Sequence, residues 1–111
     1  MTINEYQKLA MRTSNQELRP VEHLINGALG LAGEAGEVAD LVKKTCFQGH
    51  KLDPEHIAKE CSDVCWYLAE TATAIGWPLE DIFALNIDKL RKRYPDGFSA
   101  ERSQNRAEGD V

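Results

Sequence analysis

The sequence predicts an all-α protein, with a four-helix bundle-like protomer that is completed by oligomerisation. Apolar residues recur at spacings of three and four along most of the chain, which is the helical period. No stretch combines clean alternation with β-branched residues, as a strand would. The connections between the predicted helices are short, which favours antiparallel neighbours in a bundle.

The first two helices have clear start signals. The first is predicted from Ile3 to Ser14, and Thr2 with Glu5 forms a possible capping box before it. The second is long, from Val21 to Phe47, and Pro20 suits its first turn because proline is tolerated where no amide donor is needed.

The next two helices follow after short loops. The third begins at Asp53 and Pro54, a helix cap followed by a proline in the first turn, and Gly76 is its predicted C-terminal glycine. The fourth begins with Pro78 and runs to Arg93. Residues 1–98 are therefore predicted to form one domain, and the polar tail 99–111 is expected to be loop or disordered.

Four glycines recur at every third position of the second helix: Gly27, Gly30, Gly33 and Gly36. Each costs about 1 kcal/mol relative to alanine inside a helix. Either the segment is partly loop, or the missing side chains let another helix or a ligand approach closely. The second interpretation predicts a groove with low walls around Glu34.

Composition excludes several classes of function. The net charge of −5 over 111 residues argues against non-specific nucleic-acid binding. No apolar run approaches a membrane span, and the N-terminus does not resemble a signal peptide, so a cytoplasmic location is expected. Three cysteines without a secretion signal indicate reduced thiols, and Cys61 and Cys65 are expected to be small buried hydrophobes.

Two acidic pairs are the candidate site. Glu34 and Glu37 lie at i and i+3 in the second helix, as do Glu60 and Asp63 in the third. Antiparallel packing of these helices would gather four carboxylates, which is unfavourable without a cation. Oxygen ligands suit Mg²⁺, with Mn²⁺ as a possible substitute. The alternative is two solvated acidic helix faces.

Three segments around these pairs carry a family resemblance: LGLAGEAGEVA at 29–39, ECSDVCWYLA at 60–69, and NIDKLRKRYPDGF at 86–98. In this order they resemble the MazG-type nucleotide pyrophosphohydrolases of the all-α NTP pyrophosphatase superfamily, whose pattern is ExxE, a spacer and ExxD. The resemblance covers nearly all of residues 1–105.

The resemblance implies Mg²⁺-dependent hydrolysis of a nucleoside triphosphate, often a deoxynucleotide, to the monophosphate and pyrophosphate. It also implies a homodimer or homotetramer. Glu34, Glu37, Glu60 and Asp63 match the metal ligands. Asn86 and Lys89 match positions that contact phosphate oxygens, and Tyr67 matches a position near the base or sugar.

A mechanism follows as a hypothesis. Glu37 or Glu34 would orient the attacking water or accept its proton. Lys89 would stabilise the pyrophosphate leaving group. The possible helpers of Lys89 are Lys43, Lys44 and Arg93, and the candidates for base recognition are Trp66, Tyr67, His23 and Asn26, although Trp66 suits a core or an interface better.

Two other functions compete with this one. A related helical hydrolase could act on another phosphoanhydride, such as phosphoribosyl-ATP or a modified nucleotide. A non-catalytic module could instead use the acidic groove to bind a basic partner.

Overall fold

A computed structural model describes all residues 1–111 and confirms the all-α class, with no strand. Its five helices are α1 (Ile3–Met11), α2 (Pro20–Phe47), α3 (Pro54–Ala74), α4 (Leu79–Arg93) and α5 (Ala100–Gln104). None of them combines the length and apolar character that crossing a bilayer requires.

The predicted start signals of α1 and α2 are confirmed. The capping box of α1 forms, with the Glu5 amide donating to Thr2 Oγ1 at 3.1 Å. The helix ends at Met11, before the predicted Ser14, because the chain turns there and the Thr13 hydroxyl bonds back to the Ala10 carbonyl at 2.9 Å. Helix α2 begins at Pro20 and is continuous through all four glycines, which excludes the loop interpretation.

The limits of α3 also agree with the sequence. The Asp53 carboxylate accepts a hydrogen bond from the His56 amide at 3.1 Å and so caps the first turn. Beyond the last helical residue, Gly76 adopts a positive φ of 75°, a conformation that glycine reaches without a steric penalty.

The chain forms two compact units, residues 1–79 and residues 80–111. In the first, α3 packs against α2 and α1. Gly27 meets Thr71 and Gly30 meets Tyr67, so α2 and α3 run antiparallel, as predicted. The Trp66 indole N–H reaches the Ala10 carbonyl at 3.0 Å, which fixes the end of α1 against α3.

The buried interior of the first unit is small. Its buried apolar residues are Ala10, Ala69, Ala72 and Leu79. The prediction that Cys61 and Cys65 are buried is wrong, because the face of α3 that carries them is left uncovered and both side chains are exposed. Many large apolar side chains elsewhere are exposed as well.

The second unit contains most of α4, a turn and the C-terminal segment. The expectation that residues 99–111 form only loop or disorder is wrong. Ser99 Oγ accepts the Arg102 amide at 3.2 Å and caps α5. Arg93 then makes two hydrogen bonds of 2.8 Å to the Asp110 carboxylate, which hold the end of the chain on α4.

Candidate metal centre

Three of the four predicted ligands meet between α2 and α3. Glu34, Glu60 and Asp63 each place a carboxylate oxygen within 4.8 Å of the others. Antiparallel packing produces this arrangement, because Glu34 follows Gly30 by one turn while Asp63 precedes Tyr67 by one turn. Glu34 and Glu60 are partly buried, and Asp63 is exposed.

The charges in this group repel one another. The pKa of Glu34 is raised, first by a hydrogen bond shared with Glu60, then by desolvation and by the negative charges of Asp63, Glu60 and Glu37. Only His56 supplies a basic partner, with Nε2 at 3.2 Å from Glu60 Oε1. Mutual repulsion favours protonation of these carboxylates, and a bound cation would relieve the same repulsion. Their oxygens are chemically suited to a hard divalent cation such as Mg²⁺.

Glu37 lies outside the group of three. It is exposed, one turn further along α2, and its charge contributes to the raised pKa of Glu34. Glu37 is therefore accessible to solvent while it still interacts electrostatically with Glu34.

The aromatic candidates next to this group have structural contacts. The Tyr67 ring lies directly over Gly30, where a Cβ would overlap it. Trp66 packs edge to face on Tyr67, with ring centroids 5.1 Å apart, and its indole N–H also lies 2.9 Å from Thr13 Oγ1. The expectation of a core role for Trp66 agrees with these contacts.

His23 and Asn26, the candidates for base recognition, both contact Glu70, a residue that the sequence analysis did not include among the site residues. Glu70 is only 1% exposed, and its carboxylate accepts a hydrogen bond from Asn26 Nδ2 at 2.8 Å. His23 Nδ1 lies 3.3 Å from the other Glu70 oxygen and 3.3 Å from Ser14 Oγ. The available signal was the spacing of Glu70, which continues the stripe of Glu60, Asp63 and Tyr67.

The lysines near the end of α2 have a partner within the helix. Lys43 and Lys44 bind Asp40, at 3.0 and 2.8 Å. Lys44 and Lys43 therefore hold the pKa of Asp40 below its usual range. The i+3 and i+4 spacing of these residues made the contacts predictable, although Asp40 was not singled out from the sequence.

The remaining candidates belong to the second unit. Asn86 is exposed on α4, and Lys89 lies one turn further along the helix. Lys89 and Arg93 line a cavity of about 590 Å³ within this unit. The guanidinium of Arg93 is engaged by Asp110, so a role in binding phosphate would require that ion pair to open.

The fold and the site together define an all-helical protein that gathers carboxylates between two antiparallel helices, where they could hold a metal ion. The model of the MazG nucleotide pyrophosphohydrolase domain matches residues 24–98, so the chain belongs to this family. It is also 31% identical over 90 residues to the Gene 37 protein of Mycobacterium phage L5, an alignment that covers 78% of this chain and 79% of that protein. No solved structure matches the chain significantly.

Proposed function

We propose that this protein is a cytosolic, Mg²⁺-dependent nucleoside triphosphate pyrophosphohydrolase that converts a (d)NTP and water to the (d)NMP and pyrophosphate. The observation that carries the proposal is the convergence of Glu34, Glu60 and Asp63 in a chain of the MazG family. These residues would hold the metal. When bound, Mg²⁺ supplies neutralising charge for the triphosphate and a more acidic water.

The protein's own residues have separate tasks in this proposal. Glu37, outside the group of three, is the candidate that orients the attacking water or accepts its proton. Asn86 and Lys89 are assigned to phosphate oxygens on the strength of the family resemblance. Tyr67 is assigned to the base or sugar on the same ground. His23 and Asn26 are assigned to the base, but both side chains already make polar contacts with Glu70 and would have to recognise the base from there.

Product analysis tests the reaction. The purified protein is incubated with each NTP and dNTP and Mg²⁺, and the products are separated. Monophosphate and pyrophosphate are expected. Diphosphate with orthophosphate would contradict the proposal, and turnover only of phosphoribosyl-ATP or of a modified nucleotide would favour the related hydrolase. In ¹⁸O-labelled water, the label in the monophosphate or in pyrophosphate shows which phosphorus is attacked.

Matched variants test the site. Asp63→Asn and Glu37→Gln are expected to lower kcat by at least about 100-fold, as the loss of a ligand or of a base would. The control is Glu55→Gln, which changes an exposed carboxylate on the same helix as Asp63. Circular dichroism should show unchanged helix content in all three. Full activity in both site variants would overturn the assignment of these residues.

A further inference from the structure

The buried carboxylate of Glu70 determines which hydrogen-bonding atom Asn26 offers to a ligand. An ionised carboxylate only accepts hydrogen bonds, so the part of the Asn26 amide that meets it at 2.8 Å is the donor nitrogen, Nδ2. The amide oxygen, Oδ1, has no partner in the chain, and Asn26 is exposed. Asn26 therefore presents a hydrogen-bond acceptor to a ligand.

Glu70 also selects the tautomer of His23. Because Nδ1 lies 3.3 Å from Glu70 Oε2, Nδ1 carries the hydrogen, and the neutral ring keeps Nε2 as an acceptor. Ser14 Oγ lies 3.3 Å from the same Nδ1 and leaves Nε2 untouched. Nε2 has no partner in the chain, and His23 contains no buried polar atom without a partner, so Nε2 is open to solvent.

These two acceptors lie along the same side of α2 as the metal centre. Asn26, Gly30 and Glu34 follow one another in steps of four residues. Eight residues place Asn26 about 12 Å from Glu34 along the helix, at 1.5 Å per residue. The Tyr67 ring lies over Gly30, between the two ends. A nucleotide with its phosphates at the metal centre would extend its sugar past Tyr67 and its base toward the two acceptors.

We propose that His23 and Asn26 select nucleotides whose base carries an exocyclic amino group, an inference that rests on the proposed function. One amino group donates two hydrogens, which suits Asn26 Oδ1 and His23 Nε2 together. Cytosine and adenine carry this group, whereas thymine and uracil carry a carbonyl oxygen at the corresponding position. A carbonyl oxygen facing two acceptors would desolvate all three atoms without forming a hydrogen bond.

Glu70 acts on this preference through its neighbours. It is 1% exposed, so it is a positioning residue that does not itself meet the base. As a carboxylate it holds the donors of His23 and Asn26 toward itself and leaves their acceptors for the ligand. A neutral amide at this position would both donate and accept, so Asn26 could turn its nitrogen toward the ligand instead.

Two matched pairs of nucleotides test the preference. The pairs are dCTP with dUTP and dATP with dITP, in which an amino group is exchanged for a carbonyl oxygen at the same ring position. Steady-state kinetics with Mg²⁺ at about pH 8, which favours the neutral imidazole ring, give kcat/KM for each. The amino member of each pair is expected to be favoured by roughly 10- to 100-fold. Equal values within the pairs, or a preference for dUTP and dITP, would overturn the proposal.

Glu70→Gln tests the positioning role with a side chain of the same shape. The ratio of kcat/KM for dCTP to that for dUTP is expected to fall at least about fivefold, because Asn26 is no longer held in one orientation. A purely structural role would lower both values and leave their ratio unchanged, which would contradict the assignment. The control is Glu55→Gln, the same chemical change at an exposed position of α3, and it should keep the wild-type ratio.

Binding separates this proposal from the proposed reaction. Calorimetry with Mg²⁺ and the non-hydrolysable α,β-imido analogues of dCTP and dUTP gives two dissociation constants without turnover. Tighter binding of the dCTP analogue, by about tenfold or more, supports the preference even if no nucleotide is hydrolysed, in which case only the proposed reaction fails. Equal dissociation constants, or no binding of either analogue, would overturn the preference. If Glu70→Gln does not fold by circular dichroism, the wild-type comparisons decide alone.

Discussion

At the scale of single residues, Glu70 is a buried carboxylate, and each of its oxygens lies against a polar side chain of α2. Asn26 reaches one oxygen at 2.8 Å and His23 lies 3.3 Å from the other. Removing only the donor leaves the buried carboxylate desolvated and without its hydrogen bond. Replacing the donor and the carboxylate together by apolar groups can be nearly neutral. Glu70 therefore fixes the side chains of His23 and Asn26 and the contact between α2 and α3.

Asn26→Leu tests this role. The variant is expected to lose about 1–3 kcal/mol of unfolding free energy, because Glu70 then lacks its short donor. The double variant Asn26→Leu/Glu70→Leu should lose less than the sum of the two single variants. Urea unfolding measures all three. Strictly additive losses would show that the two side chains are not coupled.

Spacing places Glu70 on the acidic stripe of α3, but it could not distinguish the role of Glu70 from those of the other carboxylates there. It belongs to the same helical stripe as Glu60 and Asp63, and periodicity gives all three the same interpretation. Their environments differ because Glu70 lies opposite Asn26 and beside the buried Ala69, whereas Glu60 and Asp63 lie opposite another carboxylate. Burial and partners of this kind depend on the register of α2 against α3.

At the scale of the elements, the glycines of α2 have two roles. Gly27 and Gly30 permit close approach of α3, because a Cβ at either position would overlap Thr71 or Tyr67. Gly33 and Gly36 have open space around them. Three residues of an α-helix turn through about 60° less than a full turn. Glycines at every third position therefore shift around the helix, away from the face that packs against α3.

Identical substitutions at two glycines test that difference. Gly30→Ala is expected to destabilise the protein by about 1–3 kcal/mol, because the new methyl group overlaps the Tyr67 ring. Gly33→Ala should stabilise it by up to about 1 kcal/mol through helix propensity alone. Chemical denaturation compares the two. Equal losses in both variants would mean that the close approach at Gly30 is not what requires glycine.

The C-terminal segment depends on one ion pair. Arg93 holds the pKa of Asp110 below its usual range, so the pair stabilises the fold above the ordinary carboxyl pKa. This contribution is lost as the pH falls through the lowered pKa of Asp110. Hydrogen exchange in residues 100–111 should therefore accelerate relative to α4 in acid, and Asp110→Asn should accelerate it at neutral pH. An unchanged exchange rate in Asp110→Asn would contradict this.

This segment escaped sequence prediction for a physical reason. Helix α5 spans Ala100–Gln104, too short to show apolar periodicity, and its only local signal is the Ser99 cap. The contact between Arg93 and Asp110 joins positions that no helical spacing relates. Short elements held by distant ion pairs carry little local information.

At the scale of the whole molecule, periodicity located the long helices but not which of their faces are covered. Cys61 and Cys65 lie on an apolar stripe and are nevertheless exposed, because too few helices surround α3. The meeting of Glu34 with Glu60 and Asp63 was predictable, since the short connection after Phe47 requires antiparallel packing. The position of Glu37 outside this group depends on side-chain geometry that spacing does not determine.

The repulsion among these carboxylates should be measurable in the stability of the whole protein. In EDTA, Asp63→Asn is expected to raise Tm, because it removes a charge that raises the pKa of Glu34. Mg²⁺ at about a hundredfold its Kd should stabilise the wild type by about 2.7 kcal/mol, which corresponds to roughly 10 °C or more. The variant should lose most of that gain.

Differential scanning fluorimetry gives the Tm of the wild type and of Asp63→Asn, each in EDTA and in Mg²⁺. Glu55→Gln is the control, because the exposed carboxylate of Glu55 pairs with Lys59 rather than with the acidic group. This control should keep the full Mg²⁺ shift. The order of Tm is therefore expected to reverse, with Asp63→Asn above the wild type in EDTA and below it in Mg²⁺. An equal Mg²⁺ shift in wild type and Asp63→Asn would mean that the ion binds elsewhere, since a ligand stabilises only the state that holds it.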